Sequence, residues 1–170
     1  VYKRQYIHKI LEDKQERLWI ILENGKLLRK EKNGKLVSRI MGTEQLNTQD
    51  IRQDDKGNIY LATKNDGIYL LKAGSTIFTK IAGIGNLPID NIYISRDQRL
   101  FIGCDGMGIF VYNPVTGFLQ NNPLFSREVN LAKCKITSII EDLTGNIWVS
   151  MLQKGVFMQS PAQCDFNYMG

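Results

Sequence analysis

Hydrophobic and polar residues alternate along this chain in short runs, and turn residues interrupt them every eight to twelve positions. Ile and Val sit beside aromatic residues within the runs, a composition that suits a pleated, half-buried surface. Four times an aromatic residue closes such a run, at Trp19, Tyr60, Phe101 and Trp148, with separations of 41, 41 and 47 residues. An isoleucine ahead of each turn, at 10, 51, 92 and 139, keeps the same spacing, so two independent columns agree on one register. No window carries a sustained apolar stripe at helical spacing. A leucine-rich solenoid would need a period of about 20–29 residues. A period near 40 with three clear strands and a weaker fourth predicts the blade of a β-propeller.

The columns between the isoleucine and the aromatic form a tight turn. Asp54 to Gly57 and Asp142 to Gly145 fit it best, with Asp bonding backbone amides ahead of it and Gly free to take a positive φ. Asp13 opens the same turn in the first copy, where Glu16 replaces the glycine. In the third copy Ser95 stands at the Asp position, and Asp97 is the candidate to take over the turn. A second glycine, at 67, 108 and 155, follows the aromatic by seven residues and marks a second hairpin turn; Gly25 comes one residue sooner. Fourth strands are expected within Leu36–Met41, Thr76–Ile81, Gly117–Leu119 and Phe166–Met169. The fold class is therefore all-β: four repeats of about 41 residues, four antiparallel strands each, covering roughly residues 6–46, 47–87, 88–130 and 131–170. A seven-bladed ring at this period would need about 290 residues. The chain, which starts at Val1, is read as a partial propeller cut from a longer parent whose remaining blades are its first expected partners.

Of the 170 residues, 43% are hydrophobic and 23% charged, ordinary for a soluble domain. No apolar run approaches a membrane span, so this segment is expected to make no membrane contact. The net charge of +5 is scattered except for Lys26, Arg29, Lys30, Lys32 and Lys35. A basic hairpin of this kind discourages edge pairing, or touches an anionic glycan or phosphate. No nucleic-acid motif accompanies it. Cys104, Cys134 and Cys164 are odd in number and hold no CxxC pair, which favours free thiols; one bridge, Cys134 to Cys164, stays open as an alternative.

Catalysis finds little support. The single histidine, His8, lies in the first, innermost strand of copy one, where copy four has Thr137, and a structural or channel-lining role is expected. Asp13, Asp54 and Asp142 recur in equivalent places, which marks a turn rather than an active site. By the same logic Trp19 and Trp148 belong to packing between neighbouring blades. Gly106-Met107-Gly108 lacks the strand and helix of a nucleotide loop. No catalytic residue, metal site or cofactor is expected.

The segment Ile136-Thr-Ser-Ile-Ile-Glu-Asp142-Leu-Thr-Gly145-Asn-Ile-Trp148-Val-Ser150, followed by Gly155-Val-Phe157, resembles the two-component regulator propeller repeat. Asp54 to Tyr69 resembles it well, and the first and third copies more loosely. Asn86 to Ile92 resembles the linker that precedes such repeats. The resemblance implies the periplasmic sensor region of a hybrid two-component system histidine kinase. Members of this kind detect oligosaccharides and switch on polysaccharide-utilisation genes. Signal transduction, carbohydrate sensing, transcription regulation and a homodimeric parent all follow from the resemblance alone.

A propeller gathers loops from different blades onto one face. The loops after the aromatic strands supply the candidate ligand residues Glu23, Asn24, Lys64, Asn65, Asp66, Asp105, Gln153 and Lys154, whose amides, carboxylates and ammonium groups suit sugar hydroxyls. For any one of them taken alone, a plain turn residue is the favoured reading. Two alternatives stand beside sensing: a protein-interaction or dimerisation scaffold, and an enzyme of the streptogramin-lyase type, which His8 alone serves poorly.

Overall fold

The structure, a computed structural model, describes residues 6–121 and 130–160 together with the backbone of Phe166–Met169. It contains four antiparallel four-stranded sheets, each built from consecutive strands in simple up-and-down order. The first holds β1 (Ile7–Glu12), β2 (Leu18–Leu22), β3 (Leu27–Lys30) and β4 (Leu36–Val37). The second holds β5 (Thr48–Gln53), β6 (Ile59–Thr63), β7 (Ile68–Leu71) and β8 (Thr79–Lys80). The third holds β9 (Ile89–Ile94), β10 (Leu100–Cys104), β11 (Gly108–Tyr112) and β12 (Leu119–Asn121). The fourth holds β13 (Ile136–Glu141), β14 (Ile147–Met151), β15 (Gly155–Gln159) and β16 (Phe166–Met169). A 3-10 turn at Leu131–Lys133 precedes the fourth sheet. Among the described residues no helix is long and apolar enough to cross a membrane. The fourth strands lie where the sequence predicts them, except that β12 reaches Asn121, two residues past the expected Leu119.

Two compact units divide the chain, Val1–Asn86 and Leu87–Gly170, and each contains two sheets. In the first unit β1 lies beside β5, and in the second β9 lies beside β13, so the first strand of each sheet faces its neighbour within the unit. The first unit buries Trp19, Ile21, Ile51, Ile59, Leu61, Leu71 and Phe78 in one cluster drawn from both of its sheets. The second buries Phe101, Ile109, Ile136, Ile147, Val149 and Phe157.

One turn geometry serves all four sheets despite four different sequences. The amide of residue 16, 57, 98 or 145 donates to the carbonyl three residues earlier, at 2.8–3.1 Å. That residue takes a positive φ each time: Glu16 at 59°, Gly57 at 86°, Gln98 at 62° and Gly145 at 87°. A type I turn closed by a left-handed residue matches the twist of the flanking strands. The hairpin imposes this conformation on glutamate and glutamine too. In the third copy Ser95 Oγ bonds Asp97 Oδ1 and the Arg99 carbonyl, and Asp97 in turn accepts from Arg99 Nε at 2.6 Å.

Where the aspartate is present it does more than turn the chain. Asp13 Oδ2 accepts from the indole of Trp19 at 2.7 Å, and Asp142 Oδ2 from that of Trp148 at 2.8 Å. Trp19 is fully buried, edge-on to Phe78 at 5.8 Å, with the guanidinium groups of Arg17 and Arg29 over its ring. It packs between sheets, as expected. Trp148, in the last sheet, is partly covered and keeps the bond to Asp142.

A second contact ties sheets together within each unit. The Lys14 amide donates to Gln53 Oε1 at 2.9 Å and its ammonium to the Asp55 carbonyl at 2.6 Å. At the same repeat position, the Arg96 amide donates to Glu141 Oε2 at 2.8 Å. The Arg96 guanidinium reaches the Asp142 and Leu143 carbonyls at 2.7 and 2.9 Å.

Candidate functional site

The turns after the aromatic strands all fold back onto the segment that enters their own sheet. The amides of Glu23, Lys64, Asp105 and Leu152 donate to the carbonyls of Tyr6, Asn47, Pro88 and Lys135, at 2.9–3.0 Å. In the first unit the Thr48 amide and hydroxyl also reach the Gly25 carbonyl, at 2.9 and 2.8 Å. The Glu23–Asn24 turn and the Lys64–Asp66 turn are thereby joined through Asn47 and Thr48. In the second unit Lys135 does the joining: its carbonyl accepts from Leu152, while its ammonium pairs with Asp105 at 2.9 Å and Asp90 at 3.1 Å. The bonds it donates to Asp105 and Asp90 raise the Lys135 pKa, so this ammonium stays charged.

The eight sequence candidates separate into two kinds. Glu23, Asn24, Lys64, Asn65, Gln153 and Lys154 are exposed at the turns. Gln153 is held in a left-handed conformation at φ 57°. Asp66 and Asp105 are engaged by the protein itself. Asp66 accepts from Lys80 Nζ at 2.5 Å and the Tyr69 hydroxyl at 2.7 Å, which lower its pKa. Burial and the Asp66 carboxylate push the Tyr69 phenol up to about 12. Lys135, Asp90 and Lys80 went unrecognised in the sequence because they lie outside the turns, at the ends of neighbouring segments.

The other candidate features are ion pairs, an exposed histidine and buried thiols. Arg29 of the basic hairpin pairs with Glu31 at 2.6 Å, and Lys32 with Glu16 at 2.5 Å. His8 is exposed on β1 and lines a shallow hollow with Tyr6, Ile7 and Glu23. Cys104 and Cys134 are buried thiols, Cys104 pushed up to about 12 by burial and the Asp90 charge. Cys164 lies outside the described residues. Among the described residues, no three His, Cys, Asp or Glu side chains gather as metal ligands.

At the opposite end of the strands a groove of about 400 Å³ runs between the third and fourth sheets, within the second unit. Phe101, Val111 and Ile147 form its apolar part, and Arg96, Arg99, Gln120, Glu141 and Gln159 its polar part. Nothing in the sequence patterns pointed there.

No family model matches the chain, and no curated protein matches it. Solved structures do. The extracellular domain of BT4673 from B. thetaiotaomicron, a protein assigned as a hybrid two component system, superposes with a TM-score of 0.69 at 20% identity, over 95% of this chain and 24% of that one. The corresponding domain of BT3049 from the same organism gives 0.67 at 22% identity, over 91% and 21%. Virginiamycin B lyase from Staphylococcus aureus gives 0.71 at 12% identity, over 95% and 54%. This chain thus spans about a quarter of the length of the extracellular domains it matches. All three likenesses concern the fold, and they agree with the all-β, blade-by-blade architecture read from the repeats.

Proposed function

We propose that this chain is part of the extracytoplasmic ligand-sensing region of a hybrid two-component sensor histidine kinase. Its place is the periplasmic side of an inner-membrane protein. Its ligand is an oligosaccharide, and the response it feeds is expression of polysaccharide-utilisation genes. The observation that carries this reading is the superposition of nearly the whole chain on extracellular domains assigned to hybrid two component systems. The repeat of copy four supports it independently, through its resemblance to the two-component regulator propeller. The segment itself acts by binding rather than by catalysis. Within each unit the exposed amides and charges of Glu23, Asn24, Lys64 and Asn65, or of Gln153 and Lys154, stand at one end of the sheets and suit hydroxyl-rich ligands. The remaining blades of the parent complete the ligand surface, and a second copy of the parent transmits the change through dimer geometry.

The test is calorimetric titration of the complete sensor region against a panel of plant and host oligosaccharides. At least one panel member binds. Lys64→Ala together with Gln153→Ala weakens it about tenfold, the loss expected for about 1.4 kcal/mol of polar contact. Absence of binding to every saccharide removes the reading. A scaffold role then takes its place, and light scattering on the same protein tests it. The lyase fold match supports an enzymatic reading of the streptogramin-lyase type less well, because His8 is the chain's one histidine and lies exposed on β1.

A further inference from the structure

The first unit holds two versions of one corner, where the hairpin after the aromatic strand meets the end of the fourth strand. Strand pairing fixes the equivalence. Trp19 pairs with Arg29 and Arg29 with Val37, as Tyr60 pairs with Leu70 and Leu70 with Thr79, so Ser38 stands where Lys80 does. The Leu22 amide donates to the Lys26 carbonyl as the Thr63 amide donates to that of Gly67, so Gly25 stands where Asp66 does. In the second sheet the corner carries its own ion pair: Lys80 Nζ meets Asp66 Oδ1 at 2.5 Å and Asn86 Oδ1 at 2.9 Å. In the first sheet both members are gone, and a cation follows each vacated position: Lys26 after Gly25, and Arg39 after Ser38. Neither Lys26 Nζ nor the Arg39 guanidinium has a partner among the described residues. Every other described arginine does: Arg17, Arg29, Arg52 and Arg99 pair with carboxylates, and Arg96 holds two carbonyls.

The surroundings specify what would satisfy these cations. A hollow of about 430 Å³ lies at this corner, lined by Lys26 and Arg39 together with Asn24, Ser38, Thr43 and Glu44. The volume lies within the range of about 300–1,000 Å³ usual for small-ligand sites. Glu44 Oε2 takes the Gly42 amide at 3.0 Å, and Glu44 pairs with neither cation. Two cations against that single carboxylate leave one positive charge in excess. Asn24 Oδ1 is taken by the Lys26 amide at 3.1 Å, which leaves the side-chain NH2 as a donor beside the Ser38 hydroxyl. A guanidinium fork matches a carboxylate through two parallel bonds. Inorganic phosphate brings close to two charges, one more than the excess, and Glu44 opposes it. No aromatic ring lines the hollow, so a sugar finds no face to stack on.

We infer that this hollow binds a small organic monocarboxylate, held by Lys26 and Arg39 as Asp66 is held by Lys80 in the next sheet. The ligand supplies from solution the acid that the first sheet lacks. The inference does not rest on the oligosaccharide reading, and either can fail alone.

The test titrates the 170-residue chain with acetate, lactate and benzoate, followed by amide NMR shifts. Methyl lactate and inorganic phosphate are the neutral and dianionic controls. At least one of the three acids shifts resonances of residues 24–27 and 38–44, with a dissociation constant in the millimolar range suited to solvent-facing cations. Arg39→Gln weakens it at least tenfold. Arg39→Lys keeps the charge but loses the fork, and falls between the two. Ser38→Asp supplies a carboxylate from the chain itself and also weakens the ligand at least tenfold. Arg39→Gln keeps a melting temperature within about 2 °C of the native chain, because the guanidinium has no protein partner to lose. Failure of all three acids to bind overturns the site, and so does unchanged affinity in Arg39→Gln. Binding of methyl lactate or phosphate as tight as that of the acids overturns the carboxylate assignment. A larger fall in the melting temperature of Arg39→Gln overturns the site as well, since the guanidinium then has a structural partner.

Discussion

Replacing Trp19 with phenylalanine isolates what the indole N–H contributes. The variant keeps an aromatic ring at a fully buried position. It removes the 2.7 Å bond to Asp13 Oδ2 and leaves that carboxylate with Arg17 Nε, also at 2.7 Å. A hydrogen bond to a charged group contributes about 1.5–3 kcal/mol, and the surviving Arg17 contact argues for the lower end. The smaller ring also opens a void beside Phe78 and beneath Arg29, worth about 0.5–1.5 kcal/mol. The sum is about 2–3 kcal/mol, or about 4–12 °C in melting temperature for a chain of this size. Urea denaturation of Trp19→Phe, Asp13→Asn and the double variant measures it. The cycle should return a coupling of at least about 1 kcal/mol, because the two groups share one bond. Strict additivity, or a total loss below 1 kcal/mol, refutes the argument. The third copy is a natural reference, since Phe101 there has no N–H and Ser95 replaces the aspartate.

Glu16→Gly and Gln98→Gly should each stabilise by about 0.5–1 kcal/mol in urea midpoints, because a left-handed residue with a Cβ is strained by about 1–2 kcal/mol and glycine's greater chain freedom returns part of it. The Lys32–Glu16 pair lost in the first variant is exposed and worth little; a net loss in both variants contradicts the strain argument. Bonds from Trp148, Thr144 and Asn146 depress the Asp142 pKa. Its stabilising contribution is therefore complete above the ordinary carboxylate value near 4 and disappears as pH falls through the folded value. Between pH 7 and pH 3 the native chain should lose more stability than Asp142→Asn, and equal losses count against the assignment. Gly25→Ala should destabilise far more than Gly34→Ala. Both glycines have positive φ, but a Cβ at Gly25 falls within 3 Å of the Asn47 side chain while one at Gly34 meets nothing. Equal melting temperatures for the two variants would show that the backbone conformation alone decides.

The architecture was legible because each strand is read from two columns at once. The isoleucines at 10, 51, 92 and 139 and the aromatics after them set both the period and the face, and side-chain alternation admits one register per face. The turns were legible where glycine announced them. At Glu16 and Gln98 it did not, yet the turn is the same, since strand twist demands the left-handed residue whatever its side chain. The joining lysine, Lys135, was hidden by lying one residue before its strand register begins. Arg39 was hidden for a different reason. An arginine past a strand end looks like surface, and only matching Ser38 to Lys80 shows that its corner lacks the acid of its neighbour.

The side-chain grip of Lys14 and Arg96 on the following turn falls on main-chain oxygen, which every amino acid supplies. A duplicated module can therefore drift at those receiving positions without losing its seat beside its neighbour. Such tolerance lets one ancestral module be copied, blurred and retuned separately, so that a residue like Arg39 can arise in one copy while the array holds.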